Sequence, residues 1–398
     1  MLKQVKSFER PDGTLVQVSG YRFRAPPKGA KRFAASHAAP KLPPKVDLRS
    51  VLTAVEQQGS LSSCVANAVA GAYEYLVKRH REDLDYDVSR LFVYYNARRR
   101  SGAESDDDGT FIADAIESLR EDGACSEETW PYDEDNVNEE PSDEAYEEAS
   151  QFLVEDMQLV PTKLDAWRGA LAEGYPIIFG INLYASFDQH RKRGLVPMPS
   201  PRESTRESHG GHAMLCVGYS DPDRVFIVRN SWGTDWGDDG YCYIPYDYLM
   251  SEKYNDGDSW IIRQLENLDV DSTTWGDDES LIGDIDTELG KLTDEEFHEM
   301  IEAMGEVRFE TRLAILFLAV AGADGDLSDE ELESVADYFD NLLDQLGSPY
   351  DAEKVLRKAS KRLSERRIEE TVRLFAEHVP TTMLASILAS LREAAEAD

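Results

Sequence analysis

Three residues far apart in the chain, Cys64, His212 and Asn230, set the strongest constraint on how it folds. Cys64 opens a run of small and apolar residues, Val65-Ala66-Asn67-Ala68-Val69-Ala70-Gly71-Ala72, that reads as a helix. His212 opens the strand-like stretch 213–219, and Asn230 heads Asn230-Ser231-Trp232-Gly233. A thiol followed at long range by an imidazole and a carboxamide is the composition of an activated sulfur nucleophile. An unassisted thiol is only a few per cent ionised at neutral pH. A helix N-terminus and a neighbouring imidazolium both favour the thiolate, so the expectation is a depressed Cys64 pKa.

The pattern around these residues changes midway. Residues 64–79, 89–100 and 110–121 read as helices, the last two led by Ser89 and by Gly109-Thr110. Residues 176–182, 213–219, 225–229, 241–244 and 260–263 are rich in Val, Ile, Tyr and Phe and read as strands. Residues 46–263 are therefore expected to form one domain, with a helical half facing a sheet half. The acidic stretch 133–148 reads as an exposed excursion. Residues 1–45 form a leader with ten Lys or Arg against Glu9 and Asp12, and its Pro-containing pieces read as extended chain. A basic arm can cross an acidic body in two ways, as a cover over the cleft or as a strap on the outer surface. The strap is the expectation carried forward.

A longer block carries a resemblance. Asn230-Ser231-Trp232-Gly233-Thr234-Asp235-Trp236-Gly237-Asp238-Asp239-Gly240-Tyr241 follows N-S-W-G-x-x-W-G-x-x-G-Y, and Trp130-Pro131-Tyr132 and Pro176-Ile177-Ile178-Phe179 precede it in order. With Gln58-Gly59-Ser60-Leu61-Ser62-Ser63-Cys64, these blocks resemble the papain-like cysteine peptidases over slightly more than half the chain. The resemblance implies an α+β fold of two lobes, one helical and one built on a β-sheet, followed here by a small all-α domain. It implies an endopeptidase that needs no cofactor. Cys64 would be the nucleophile, His212 the acid–base and Asn230 the residue orienting the imidazole. The Gln58 side-chain amide and the Cys64 N–H would bind the oxyanion. Gln58 fits better than Gln57 because it directly precedes Gly59. Gly109, Thr110, Gly211 and Trp232 would line the substrate groove, with Trp232 also shielding the His–Asn hydrogen bond. Val65, Ser62 and Thr110 stand where many relatives have tryptophan, glycine and glycine, which points to altered substrate preference.

Rival readings keep the same residues. A thiol acyltransferase or isopeptidase can use the same set, and a scaffold with a blocked cleft would be a peptide-binding protein. His209 and His212 form an H-x-x-H pair, but no third ligand accompanies them, so a metal there is not expected.

The net charge of −36 over 398 residues argues against nucleic acid and favours basic partners or substrate segments. No apolar run is long enough to span a membrane. The N-terminus shows no secretory h-region, which makes cytoplasmic residence the expectation. Four cysteines are too few for a disulfide framework, and Leu61 stands where secreted relatives usually place a bridging cysteine.

Residues 264–290 read as an acidic linker in which Trp275 and Leu281 could dock, and residues 291–398 as helices. Thr293-x-x-Glu296 and Ser328-x-x-Glu331 are capping boxes, Leu313, Leu316, Phe317 and Val320 recur at helical spacing, and Pro349 and Pro380 mark helix starts. The stretch Ala321-Gly322-Ala323-Asp324-Gly325-Asp326-Leu327-Ser328 resembles half an EF-hand loop, but Val320 and Gly322 cannot supply the first ligands. It is more similar to the TerB-like helical domains of tellurite resistance. No metal site is assigned. Asp324, Asp326 and Glu331 are the residues that resemblance would offer a cation, and a protein partner is the expected ligand of this region.

Overall fold

The computed structural model describes residues 7–34, 42–80, 86–150, 154, 156–190, 193–203, 210–263, 280–281, 287–322 and 329–397. Two compact units emerge. The first comprises Met1–Phe8, Val16–Phe187 and Pro201–Gly283, the second Glu9–Leu15, Asp188–Ser200 and Asp284–Asp398.

The first unit joins a helical part to an antiparallel sheet. Its helices are α1 (Cys64–His80), α2 (Arg90–Arg99), α3 (Ile112–Glu121), α4 (Asp143–Ala149), α5 (Leu164–Ala172) and the single turn α6 (Tyr246–Leu249). Its sheet strands are β1 (Lys45–Asp47), β2 (Asp156–Leu159), β3 (Ile177–Leu183), β4 (Gly210–Ser220), β5 (Val225–Arg229), β6 (Tyr241–Pro245) and β7 (Ser259–Arg263). The sheet runs β2-β7-β3-β4-β5-β6, and β1 extends the β3 edge of β4, pairing Val46 with Tyr219. Central β4 is buried along its whole length, as expected of a strand covered on both faces. Helix α1 packs on it, and Gly71 allows the close approach: a Cβ there would lie 3.2 Å from Arg229 Nη1.

The expected helices and strands are present, with three differences. Helix α3 begins at Ile112 rather than at residue 110, because the Thr110 main chain is engaged in pairing described below. The acidic stretch is not simply an excursion. Ser142 caps α4 by accepting from Ala145 N at 3.2 Å, and Ala145 and Ala149 bury themselves with Phe92 and Cys125. Helix α5 was not anticipated. It is held by Trp167, which packs edge-on to Phe179 at 5.2 Å and against Phe226 at 5.1 Å.

The second unit is helical over α7 (Asp294–Met304), α8 (Phe309–Ala321), α9 (Asp329–Leu346), α10 (Ala352–Ser360), α11 (Glu365–His378) and α12 (Thr381–Ala397). Helix α8 is apolar on nearly every side, which makes it the central element, and it contacts α9, α10, α11 and α12. Phe309 stacks on Phe375 at 5.4 Å and Phe317 meets Phe339 at 5.1 Å. The Thr293 capping box forms: Glu296 Oε2 accepts from Thr293 N at 2.9 Å, and Thr293 Oγ1 accepts from Glu296 N at 3.2 Å. Pro380 directly precedes α12, whereas α10 starts at Ala352 behind an Asp351 cap. Asp324, Asp326 and Ser328 lie outside the described residues, as does Trp275, and Glu331 is described only as part of α9. Leu281 is described, and its amide donates to Asp223 Oδ2 at 2.7 Å within the first unit.

Candidate active site

Residues 57–63 approach the start of α1 as a loop with few free groups. Gln58 N donates to Ser231 O at 2.8 Å, and Gln58 O accepts from Tyr132 Oη at 2.8 Å. Ser62 N donates to Asp107 Oδ1 at 2.9 Å, and Tyr94 Oη donates to the same oxygen at 2.7 Å. This webbing fixes where α1 begins, so Cys64 stands at its first position with no acidic residue in the first turn. Negative charge on the sulfur therefore meets the helix dipole without local repulsion. The Gln58 side chain is also held. Its Oε1 accepts from Ser231 Oγ at 2.6 Å, and its Nε2 donates to Leu61 O at 2.8 Å. A primary amide carries two N–H donors, so one remains for an oxyanion. Gln57 points elsewhere, its Nε2 donating to Trp232 O at 3.2 Å.

His212 and Asn230 come from neighbouring parts of the sheet. His212 lies in β4 opposite Ile181, and Asn230 follows directly on β5. His212 Nε2 and Asn230 Oδ1 are 2.8 Å apart, and Ser231 N donates to that same Asn230 atom at 2.8 Å. An N–H donor must face an oxygen, so the carboxamide orientation is set and the imidazole hydrogen sits on Nε2. His212 Nδ1 then carries the lone pair, and it is buried without a hydrogen-bond partner. The Trp232 ring lies 4.9 Å from the imidazole and keeps water from the His–Asn bond.

The leader does not stay on the outer surface. Residues 16–33 run through this site. Thr110 N donates to Gly20 O at 3.0 Å, Arg22 N donates to Thr110 O at 2.9 Å, and Tyr21 N donates to Gly211 O at 3.4 Å. Tyr21 and Thr110 pair in parallel. Gly20 passes so close to the nucleophile that a Cβ there would stand 2.7 Å from Cys64 Sγ. Further along, Arg22 and Arg24 lie over the Phe111 ring at 4.8 and 4.4 Å, and Lys31 Nζ bonds Asp156 at 2.8 Å.

This cover changes the electrostatics from the expected depressed thiol pKa. Burial pushes the Cys64 thiol up to about 12, against the opposing pull of the Ala213, Val65, Cys64 and Gly20 backbone groups. Burial pushes His212 down to about 4, against the Asn230 bond. With the leader in place burial favours the neutral form of both groups, because the chain that covers them removes the water that either charged form needs.

Residues 42–254 match the papain family cysteine protease description. The chain belongs to the papain family of cysteine proteases. It is 36% identical to an uncharacterized peptidase C1-like protein of Acanthamoeba polyphaga mimivirus over 55% of this chain and 74% of that one. It is 28% identical to Peptidase 1 of Euroglyphus maynei over 56% of this chain and 68% of that one. Among solved structures it is similar to xylellain, a cysteine protease from Xylella fastidiosa, with 31% identity and a TM-score of 0.59, covering 67% of this chain and 99% of xylellain. This protease is accordingly a hydrolase of α+β, papain-like fold with a helical region after it.

Of the anticipated groove residues, Gly109, Thr110 and Gly211 lie along the leader's path, Thr110 and Gly211 bonding its main chain. Trp232 lies over the imidazole instead and packs edge-on to Phe187 at 5.9 Å. Two residues of this region went unread in the sequence. Gly180 in β3 and Asp258 before β7 enclose the Tyr21 ring, and a Cβ on Gly180 would strike that ring. A glycine amid the apolar run Ile177-Ile178-Phe179 was the available signal of such a close approach. Among the described residues no group of His, Cys, Asp or Glu could hold a metal, and no helix is long and apolar enough to cross a membrane.

Proposed function

We propose that Cys64, His212 and Asn230 carry out peptide-bond hydrolysis by an endopeptidase that its own leader holds closed. The observation that carries this reading is the fixed imidazole, with Nε2–H on Asn230 and an unpartnered Nδ1. When the leader withdraws, Nδ1 takes the proton from the Cys64 thiol and the resulting ion pair is stabilised by returning water and the α1 dipole. The thiolate attacks the carbonyl carbon, and the Cys64 N–H with the remaining Gln58 N–H receive the oxyanion. His212 returns its proton to the leaving amine as the C–N bond breaks. Water, activated by His212, then hydrolyses the thioester. The main chain at Thr110 and Gly211 pairs with substrate as it pairs with the leader.

The helical unit is proposed as the regulatory and partner-binding module, of TerB-like type. Its six helices support this. So does its hold on the leader: Glu9–Leu15 group with it, and Lys358 Nζ bonds both Glu9 Oε1 and Arg10 O at 2.8 Å. A reducing, cytoplasmic setting is supported by four cysteines that are all free and buried.

An epoxide probe for papain-type thiols tests the catalytic reading. With the leader loosened by Tyr21→Ala, the full chain is expected to label on Cys64 and to cleave peptides with uptake of water, while adding Cys64→Ala abolishes both. Labelling at another cysteine, or transfer to an added amine in place of hydrolysis, would overturn it.

A further inference from the structure

We infer that the helical unit carries a docking site for a turn that presents a carboxylate beside a guanidinium. Leader residues 9–15 fill it in the closed chain, and a free segment of the same chemistry opens the protease by displacing them. This rests on the reading of Cys64 as the nucleophile, and it gives the partner of the helical unit a chemical class. Glu9–Leu15 belongs to the compact helical unit. Its shape is set locally by Pro11, Asp12 and Gly13, residues that favour turns. Asp12 Oδ1 accepts from Thr14 N at 2.8 Å, Arg10 N donates to Thr14 O at 2.9 Å, and Gly13 N donates to Arg10 O at 2.9 Å.

Two charged sites receive the turn. The first is the Asp188 carboxylate, whose side chain is only 1% exposed. Arg10 Nε donates to Asp188 Oδ1 at 3.3 Å, Arg308 Nη1 donates to Oδ2 at 3.4 Å, and Tyr350 Oη donates to Asp188 O at 2.7 Å. Losing Arg10 takes a charge-assisted bond from a carboxylate that water cannot readily reach. The second site is Lys358 on α10. Its Nζ bonds Glu9 Oε1 and Arg10 O, each at 2.8 Å, and Arg362 lies 3.9 Å from Glu9 Oε2. The Lys358 bond holds the Glu9 carboxyl below its ordinary value. Gly13 rests on the Lys358 stem, where a Cβ would stand 3.4 Å from Cδ. Residues 357–367, which include Lys358 and Arg362, hold six Lys or Arg against one Glu in a chain of net charge −36. This basic island draws a carboxylate. Asp188 adds a demand for a guanidinium, so a merely acidic segment does not satisfy both sites.

The turn runs directly into the groove segment. Leu15 and Gly20 are five residues apart, a reach of at most about 18 Å. A docked turn therefore holds residues 16–33 at high effective concentration for the groove. The other end of the leader continues into β1, so a freed turn leaves it tethered at one end only, and it peels from the groove more often.

The test follows epoxide alkylation of Cys64 in the full chain. Lys358→Glu, which repels Glu9 and loses the bond to Arg10 O, should raise the rate by about tenfold. Adding Glu9→Lys restores the pair with its signs exchanged and should bring the rate part of the way back. A synthetic peptide of residues 7–17, added to the unaltered chain at about 1–5 mM to compete with a short tether, should raise the rate saturably by about threefold or more. The same peptide with Glu9→Lys and Arg10→Glu should not. The peptide arm leaves the protein intact, so it decides the question should Lys358→Glu fail to fold. A parental rate in a folded Lys358→Glu, no recovery on adding Glu9→Lys, or acceleration by both peptides or by neither would overturn the assignment. Failure of Cys64 to label even in Tyr21→Ala would overturn the nucleophile reading instead, a result distinct from labelling that ignores the docking site.

Discussion

Tyr21→Ala in the full chain should convert the resting protease into one whose sulfur is reachable. The closed state buries the Tyr21 ring, which is 6% exposed, and adds the Oη bond to Asp258. Burial of a side chain of this size is worth about 1.5–3 kcal/mol. A hydrogen bond to a charged acceptor adds about 1.5–3 kcal/mol. Truncation to alanine removes most of both, about 3–5 kcal/mol. The main-chain bonds of Gly20, Tyr21 and Arg22 remain. At 1.4 kcal/mol per factor of ten, the open fraction rises by about 10²- to 4 × 10³-fold. Because labelling requires an open cleft, the second-order rate of Cys64 alkylation by the epoxide should rise by the same factor. Tyr21→Phe keeps the ring and loses only the bond to Asp258, so a rise of about 10- to 10²-fold is expected. Mass spectrometry locates the label, and Cys64→Ala in the same background should give none. An alkylation rate for Tyr21→Ala equal to that of the parent chain would refute the reasoning that Tyr21 anchors the leader.

Asn230→Ala should lower kcat by about 10²-fold or more with little change in KM, since it frees the imidazole hydrogen and its orientation rather than a substrate contact; a loss confined to KM would contradict that role. Buried Glu74 is pushed up to about 7 from 4.5, by burial first, against Arg229 and the bonds from Thr53 and Val88. A raised carboxyl pKa means the folded state binds more protons between these values, so this group's contribution to stability falls as pH rises from 4.5 to 7. His212, pushed down to about 4 from 6.5, acts with the opposite slope over 4 to 6.5. Glu74→Gln should therefore become more stable relative to the parent as pH rises to 7, by up to about 3 kcal/mol, and urea denaturation at pH 4.5 and 7 reads the difference. Phe317→Ala, at a fully buried position of α8, should destabilise the helical unit by about 3–5 kcal/mol in the same assay.

The candidate constellation was legible because the chemistry proposed for it dictates residue types. A thiol at a helix start, an imidazole on one strand and a carboxamide just past the end of its neighbour leave a strong trace in sequence. The main strands were legible because both sheet faces are covered, which turns them into continuous apolar runs such as Val225-Phe226-Ile227-Val228. The leader's route was not. Its contacts at Gly20, Tyr21 and Arg22 are largely main-chain bonds, which leave no periodicity, and its basic side chains suit a surface strap equally well. The state of the sulfur was missed for the same reason. The dipole and the imidazole are local and readable, but the burial that outweighs them is imposed by residue 20. Asp258 escaped notice because a single aspartate before a strand is more often a turn residue, and only the fold turns its carboxylate toward the groove.

All four cysteines are free, and all four are buried. In the closed chain no sulfhydryl meets the solvent, and leader departure uncovers one of them. A native-state thiol titration with a small chromogenic disulfide thus counts molecules whose groove stands open. The protein carries its own stoichiometric gauge of an open groove, readable without any substrate.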